Sequence, residues 1–387
     1  MKRAGNERLV LLVSLAIFLE TLFYAVITPL LPALSHQLQL SKFTAGVMTA
    51  AYPVGTLIGS LPGGALAVRR GPRFTLISGL LLVVGSTVAF ALLHSAAALD
   101  LARFVEGIGG ALAWAGGLAW VVAATPPQRR GAVMGATLGT SIAGSLFGPA
   151  IGALASVTGR AVLFCALAAV VLLLLAPIAM LRDVHGSSGQ PVSEVLRVLH
   201  RPAIAGAMWL MVLPAIVSGG FNVLGPLELH RFGAGAGVIG VTFLVGAGLE
   251  ALISPVVGRF SDRHGRTVPL RGGLVGVGIG LGCFSLASSA LALALVLVAT
   301  AATLGVFWAP VMALVADVAE THRIDQAHAA ALMNLSWAAG QIVGSAGGGA
   351  AGKAFGNSAP TLAITMLCAA TLVGLRAAEA MRRQAPA

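Results

Sequence analysis

The chain has 387 residues, 57% of them hydrophobic and only 10% charged, with 50 glycines, a formal net charge of +11 and a mean hydropathy of +0.93. A soluble domain carries about 25% charged residues, and so much apolar surface would leave large patches facing water. Composition therefore excludes a soluble enzyme, a disordered chain and, despite the charge, a nucleic-acid-binding protein.

A membrane-crossing helix needs about 20 apolar residues at about 1.5 Å rise each. The runs here are apolar on every side, as in 287–315, which holds no charge. A barrel strand would instead alternate apolar and polar residues. In chain order, the runs between charges and turn signals predict six spans over 9–34, 43–67, 74–94, 99–124, 131–155 and 160–181. Six more follow over 203–228, 236–257, 269–288, 290–315, 327–350 and 358–380. The first run follows Lys2, Arg3 and Arg8 and is too long for a signal-peptide core, so it reads as a span. Cys165, Cys283 and Cys368 all fall inside apolar spans, which argues against a disulfide framework.

The basic residues orient this stack. With the N-terminus cytoplasmic, nineteen of the 24 Lys and Arg residues fall on the inner side. The outer segments hold Lys42, Arg160, Arg231 and Lys353, and Arg103 lies inside the fourth span. Such an imbalance predicts a multi-pass protein of the cell membrane with both termini cytoplasmic. Near the midpoint, the polar stretch 182–201 carries an apolar stripe of Val192, Val195, Leu196 and Leu199, which predicts a short helix on the inner membrane surface. It divides the chain into a six-helix bundle over 1–181, a linker over 182–201 and a second six-helix bundle over 202–387.

The two halves repeat. Gly64 and Gly258, Arg69 and Arg263, Gly71 and Gly265, and Pro32 and Pro226 are each separated by 194 residues. Fixed-offset matches indicate duplication, and paired six-helix repeats are a plan of secondary transporters.

At these positions the sequence resembles the major facilitator superfamily, over nearly its whole length. Gly258, Asp262, Arg263, Gly265 and Arg266 complete that family's inner-loop pattern, whereas the first copy keeps Gly64, Arg69 and Gly71 but has Val68 in place of the aspartate. Arg103 and Gly107 match its fourth-span Arg-x-x-x-Gly. The fifth span, with Gly144, Gly148, Pro149 and Gly152, is similar to the signature of drug:proton antiporters. The first span, from Leu19-Glu20-Thr21 to Thr28-Pro29-Leu30-Leu31-Pro32, also looks like that group. The resemblance implies an all-α fold of twelve transmembrane helices in two pseudo-symmetric bundles, and a carrier rather than an enzyme.

An ionisable residue inside a span is a functional candidate by default. Glu20, sharing a helical face with Tyr24 and Thr28, is the leading candidate for a group that takes up and releases a coupling proton. Arg103 and Glu106, one turn apart on the fourth span, can retune it; the plainer reading is a structural pair with Asp100. Glu250 reads as a second proton or cation site, or as a partner of the loop arginines. Glu228, near His230 and Arg231 at the outer end of the seventh span, reads as a headgroup-level residue; the alternative is a group that attracts cations at the mouth. Tyr24, Trp114, Asn222, Trp308, Asn334, Trp337 and Gln341 are the candidate substrate wall, since aromatic rings with a few amides hold amphipathic or cationic molecules. The plainer reading of each is packing. The stripe Gly144, Gly148 and Gly152, extended back by Gly139 and Gly135, with the bend at Pro149, predicts a sliding surface against the eighth span. Gly340, Gly344 and Gly347–Gly349 are its expected repeat in the eleventh.

These features predict a proton-coupled exporter of small amphipathic or drug-like molecules. The alternative is an uptake symporter or facilitator for a small metabolite such as a sugar, amine or amino acid. Expected partners are that small molecule, protons and the bilayer, for a monomer without nucleic acid. No residue spacing suggests a metal or other cofactor, and no nucleophile–base constellation suggests an enzyme.

Overall fold

The computed structural model describes residues 2–126, 130–183, 200–324 and 326–384. The helices are α1 (Lys2–Ala25), α2 (Leu31–Gln37), α3 (Lys42–Arg70), α4 (Pro72–Leu92), α5 (Ala96–Ala124), α6 (Arg130–Thr158) and α7 (Arg160–Ala179). The second half holds α8 (Pro202–Arg231), α9 (Ala236–His264), α10 (Thr267–Leu286), α11 (Ala290–Thr321), α12 (Gln326–Ile342), α13 (Gly348–Phe355) and α14 (Ser358–Gln384). With α1 and α2 forming one unit, and α12 and α13 another, these are the twelve expected spans. No strand occurs among the described residues. The predicted linker helix around Val192–Leu199 lies outside them.

Among the described residues, eleven units are long and apolar enough to cross a membrane by length and composition. The other, 326–355, is divided by a π-turn at Val343–Gly347. The first unit is broken as well. Pro29 has no N–H to continue α1, and a 3-10 turn over Thr28–Leu30 carries the chain into α2.

The duplication extends to helix caps. Ser95 and Ser289, again 194 apart, accept from Ala98 N at 3.3 Å and Ala292 N at 3.2 Å and so start α5 and α11. Gly71 and Gly265 end α3 and α9 with φ of 93° and 89°, a left-handed turn that a side chain disfavours. At one end of the molecule, where α1 begins, α3 and α9 end and α14 ends, lie Arg69, Arg70, Arg73, Arg259, Arg263 and Arg266. Arg266 bonds Asp262 and, at 3.1 Å, Asp317. The 194-residue offset puts Pro72, Val68 and Ala123 at those three places in the first half, so this ion-pair triad belongs to the second half alone.

Each half has its own apolar core. Val13, Ile17, Leu76, Leu80 and Trp120 centre the first, and Val217, Leu274, Leu281, Leu293 and Phe307 the second. Large side chains such as Leu173 and Val157, 75% and 83% exposed, point outward, as expected where the surroundings are lipid. In lipid, helices associate through close packing rather than burial from water, so small residues govern the seams. Gly55 and Gly107 bring α3 and α5 together: a Cβ at 107 would meet the Tyr52 carbonyl and lie 2.9 Å from Thr56 N. That contact is the physical role of the glycine in Arg103-x-x-x-Gly107.

The fifth-span stripe is a correction. Gly144, Gly148 and Gly152 face α1, where a Cβ would meet the backbone or side chains of Phe18, Ala25 and Val26 respectively. The eighth span packs on the adjoining face of α6 instead: a Cβ at Gly240 would lie 2.7 Å from Ala153 Cβ and 3.0 Å from the Pro149 carbonyl. Residues four apart share one helical stripe, so the glycines and the α9 contacts lie on different stripes of one helix. In the eleventh unit Gly340 and Gly344 likewise receive a helix of their own half, α8, at Val212 and Ile216, whereas Gly349 meets the Lys42 carbonyl of α3 and Gly347 has nothing within 4 Å. The symmetry-related seams between halves are therefore α6 with α9, and α3 with α12 and α13.

Candidate functional site

Between the halves lies a cavity of about 820 Å³, walled by α1, α3, α5, α6, α8, α9, α11 and α12. Its wall reaches the exposed Gly139 and Pro255 and the half-buried Gly258 toward the basic end. At the opposite end an apolar cluster closes it, in which Val223 of α8 packs with Ile27, Leu30, Leu31 and Met48.

Glu20 is 1% exposed on the cavity wall. Tyr52 OH donates to its Oε1, Trp114 Nε1 donates to Oε2 at 3.0 Å, and Thr21 Oγ1 approaches Oε2 at 3.4 Å. Gly110 leaves the space that this cluster fills, since a Cβ there would collide with the Glu20 carboxyl and lie 2.7 Å from Tyr52 OH. A carboxyl so enclosed can alternate between a charged form that accepts these bonds and a neutral form. Tyr52 was not singled out by sequence. The available signal was scarcity: the chain has two tyrosines, and their rings lie 4.8 Å apart at this one site.

Arg103 stands beside this cluster, 2% exposed. Its Nη1 reaches both Glu106 oxygens at 3.1 and 3.0 Å, and Nη1 and Nη2 donate to the Phe23 and Tyr24 carbonyls at 3.3 and 3.1 Å. Those carbonyls lie in the last turn of α1, where the break leaves helical acceptors without their usual partners. The guanidinium also lies 5.1 Å from the Tyr52 ring centre, within cation–π range. Arg103 therefore ties the end of α1, the Tyr52 ring and Glu106 together. Glu106 itself is not part of the cavity wall. Asp100 Oδ1 is buried without a hydrogen-bond partner, so it does not complete the expected triad.

In the second half, Glu250 and Trp308 both line the cavity. It faces the cavity, not the loop arginines. Tyr24, Asn222, Asn334, Trp337 and Gln341 complete the wall. Tyr24 meets Trp337 edge-on at 5.4 Å across the two halves, and Gln341 Nε2 donates to Ser218 Oγ at 2.7 Å. All seven residues proposed for the substrate wall thus converge on one space, together with Glu20, Arg103 and Glu250. Glu228, near the end of α8 opposite the basic residues, is 7% exposed and bonded to Asn357 and Arg231. Among the described residues no cluster of His, Cys, Asp and Glu has metal-binding geometry.

The family model of the Major Facilitator Superfamily matches residues 13–249 and again 210–386. The chain belongs to this superfamily. Among curated members, it is 27% identical to the MFS-type transporter ppzB of Metarhizium majus over 36% of this chain and 31% of that one, and so spans only about a third of that relative. It is 26% identical to multidrug resistance protein 1 of Bacillus subtilis over 68% of this chain and 71% of that one. Solved structures of the same fold include a bacterial homologue of the human lysosomal transporter Spinster, inward-facing and unoccupied, with TM-score 0.77 and 16% identity over 96% of this chain and 92% of that one. The xylose transporter XylE from E. coli, in a partially occluded inward-open conformation, gives TM-score 0.76 and 16% identity over 99% and 98%. This member of the superfamily thus has the expected fold, and its cavity lies between the two repeats.

Proposed function

We propose that this transporter exports small amphipathic molecules, cationic ones above all, in exchange for protons. The observation that carries the reading is the Glu20 carboxyl, enclosed by Tyr52, Trp114 and Thr21 on the wall of an aromatic cavity. A cationic substrate and a proton compete for such a carboxylate, and this competition is what couples two fluxes. Arg103 and Glu106 position Tyr52 and the end of α1 around it, and Glu250 supplies a second acidic position in the other half. The likeness to a multidrug resistance protein supports efflux.

In this reading, 1–181 and 202–387 rock against each other about the cavity, with 182–201 as the linker. The α6–α9 and α3–α12 seams act as pivots, and the Gly144–Gly152 stripe holds α1 to α6 as one body. The inner-loop residues Gly64, Arg69, Gly71, Gly258, Asp262, Arg263, Gly265 and Arg266 gate the basic end. The excess of basic residues puts that end and both termini in the cytoplasm of a cell membrane. The protein works as a monomer, because one chain holds both halves of the pathway.

The test is accumulation of tetraphenylphosphonium and a set of neutral amphiphiles in inside-out vesicles, for wild type and Glu20→Gln, with and without a pH gradient. Gradient-driven accumulation that disappears in Glu20→Gln is the expected result. Flux that ignores both the gradient and the substitution makes the protein a facilitator. Flux in the opposite direction with the gradient makes it an uptake symporter.

A further inference from the structure

At the end opposite the basic residues, a polar chain joins the two halves. Lys42, the first residue of α3, donates from Nζ to Asn357 Oδ1 at 2.6 Å. Asn357, in the turn between α13 and α14, donates from Nδ2 to Glu228 Oε2 at 2.7 Å. Glu228 pairs in turn with Arg231 one helical turn away. Within this set of four, Lys42 alone comes from the first half, so the Lys42–Asn357 bond is the one that crosses.

Lys42 is anomalous on local grounds. The first turn of a helix carries partial positive charge and disfavours a cation there. A position that breaks a local rule is expected to have a compensating tertiary role. The seat for this side chain is built by glycines of α13: Gly349 closes on the Lys42 carbonyl, and a Cβ at Gly352 would lie 3.4 Å from Asn357 Oδ1 and 3.7 Å from Lys42 Cδ.

The chemistry suits a bond that must break and re-form. Glu228 is buried, and a buried carboxylate left without partners is strongly destabilising. Here Glu228 keeps both Arg231 and the Asn357 amide when Lys42 withdraws, and Lys42, half-buried at a helix start, returns to water. Neither separated half is left with a stranded buried charge.

We infer that Lys42, Asn357 and Glu228 form a latch that holds this end shut while the cavity opens toward the basic end, and that its release is a step in turning the cavity to the other side. The inference rests on the alternating-access reading but not on the identity of the substrate, the coupling ion or the direction of flux.

The experiment is a distance measurement by pulsed electron paramagnetic resonance on the full chain in lipid nanodiscs. The native cysteines are replaced by serine, and spin labels are placed at His94→Cys and Ser288→Cys, exposed positions of the two halves at this end. Lys42→Met is expected to raise the ratio of the longer-distance to the shorter-distance population about tenfold, the effect of losing one charge-assisted hydrogen bond. Asn357→Leu should do the same, and Lys42→Arg, which still donates, should stay near the parent. If Lys42→Met does not give monodisperse protein, Asn357→Leu carries the measurement. Distributions that superimpose on the parent for the variants that fold overturn the latch, and so does Lys42→Arg opening as far as Lys42→Met. No substrate or gradient is present, so this result stands or falls separately from the flux assay.

Discussion

Trp114 and Trp308 lie 194 residues apart and hold equivalent places in the two halves, each against a cavity carboxylate from a neighbouring helix: Glu20 of α1 in the first half, Glu250 of α9 in the second. The carboxylates do not share the offset, since Pro214 stands where Glu20 would repeat and Thr56 where Glu250 would. The duplicated element is the indole, an apolar body with one N–H donor, which in the first half donates to Glu20.

Replacing either indole by phenylalanine keeps a ring but removes that donor. Trp114→Phe and Trp308→Phe should each weaken equilibrium binding of tetraphenylphosphonium by about three- to tenfold, the range of one polar or cation–π contact. Radioligand binding to purified protein at fixed pH checks this. Unchanged affinity in both variants would remove the two indoles from the substrate wall.

Arg103 and Glu106 offer a test of a buried pair. Arg103→Met strands the Glu106 carboxylate and frees the Phe23 and Tyr24 carbonyls, so a loss of about 3–5 kcal/mol is expected. Arg103→Met combined with Glu106→Leu should be more stable than Arg103→Met alone, because no unpaired charge remains. Thermal unfolding in detergent reads the difference, and strictly additive losses would mean that the pair is not coupled.

The two kinds of glycine in the fifth span and the inner loop should separate cleanly. Gly144→Val drives a side chain into the backbone of α1 and should lose about 1–3 kcal/mol or more. At Gly64 nothing lies within 4 Å of a new Cβ, so Gly64→Ala should change stability by no more than about 0.5 kcal/mol. Equal melting temperatures for the two variants would contradict the α1–α6 seam.

Gly71 and Gly265 are required for a different reason. Their backbones are left-handed, and alanine there meets strain even though open space surrounds Gly265. Gly265→Ala should destabilise by about 1–2 kcal/mol, whereas Gly258→Ala, whose Cβ would make an ordinary 3.5 Å contact with Ala309, should be nearly neutral. Comparison of unfolding midpoints for the pair decides it.

The twelve helices, their order and the duplication were legible in the sequence. In lipid every backbone polar group must be satisfied within its own segment, so long apolar runs have little choice but to become helices. Candidate polar residues were legible on the same ground: Glu20, Arg103 and Glu250 stand out because charge inside a span is costly. Which helix each glycine stripe faces was not legible. Stripes of one helix differ by about 100° per residue, and small residues occur on several of them, so the stripe of Gly144, Gly148 and Gly152 fits two neighbours equally well until α1 takes one face and α9 the other. Nor did the sequence pair Tyr52 with Glu20, 32 residues away, or Lys42 with Asn357, 315 residues away. Local chemistry determined the helices and marked the polar residues within them. Only the packing of whole helices decided which of those residues meet, because hydrogen bonds act over about 3 Å and chain spacing carries no information at that range.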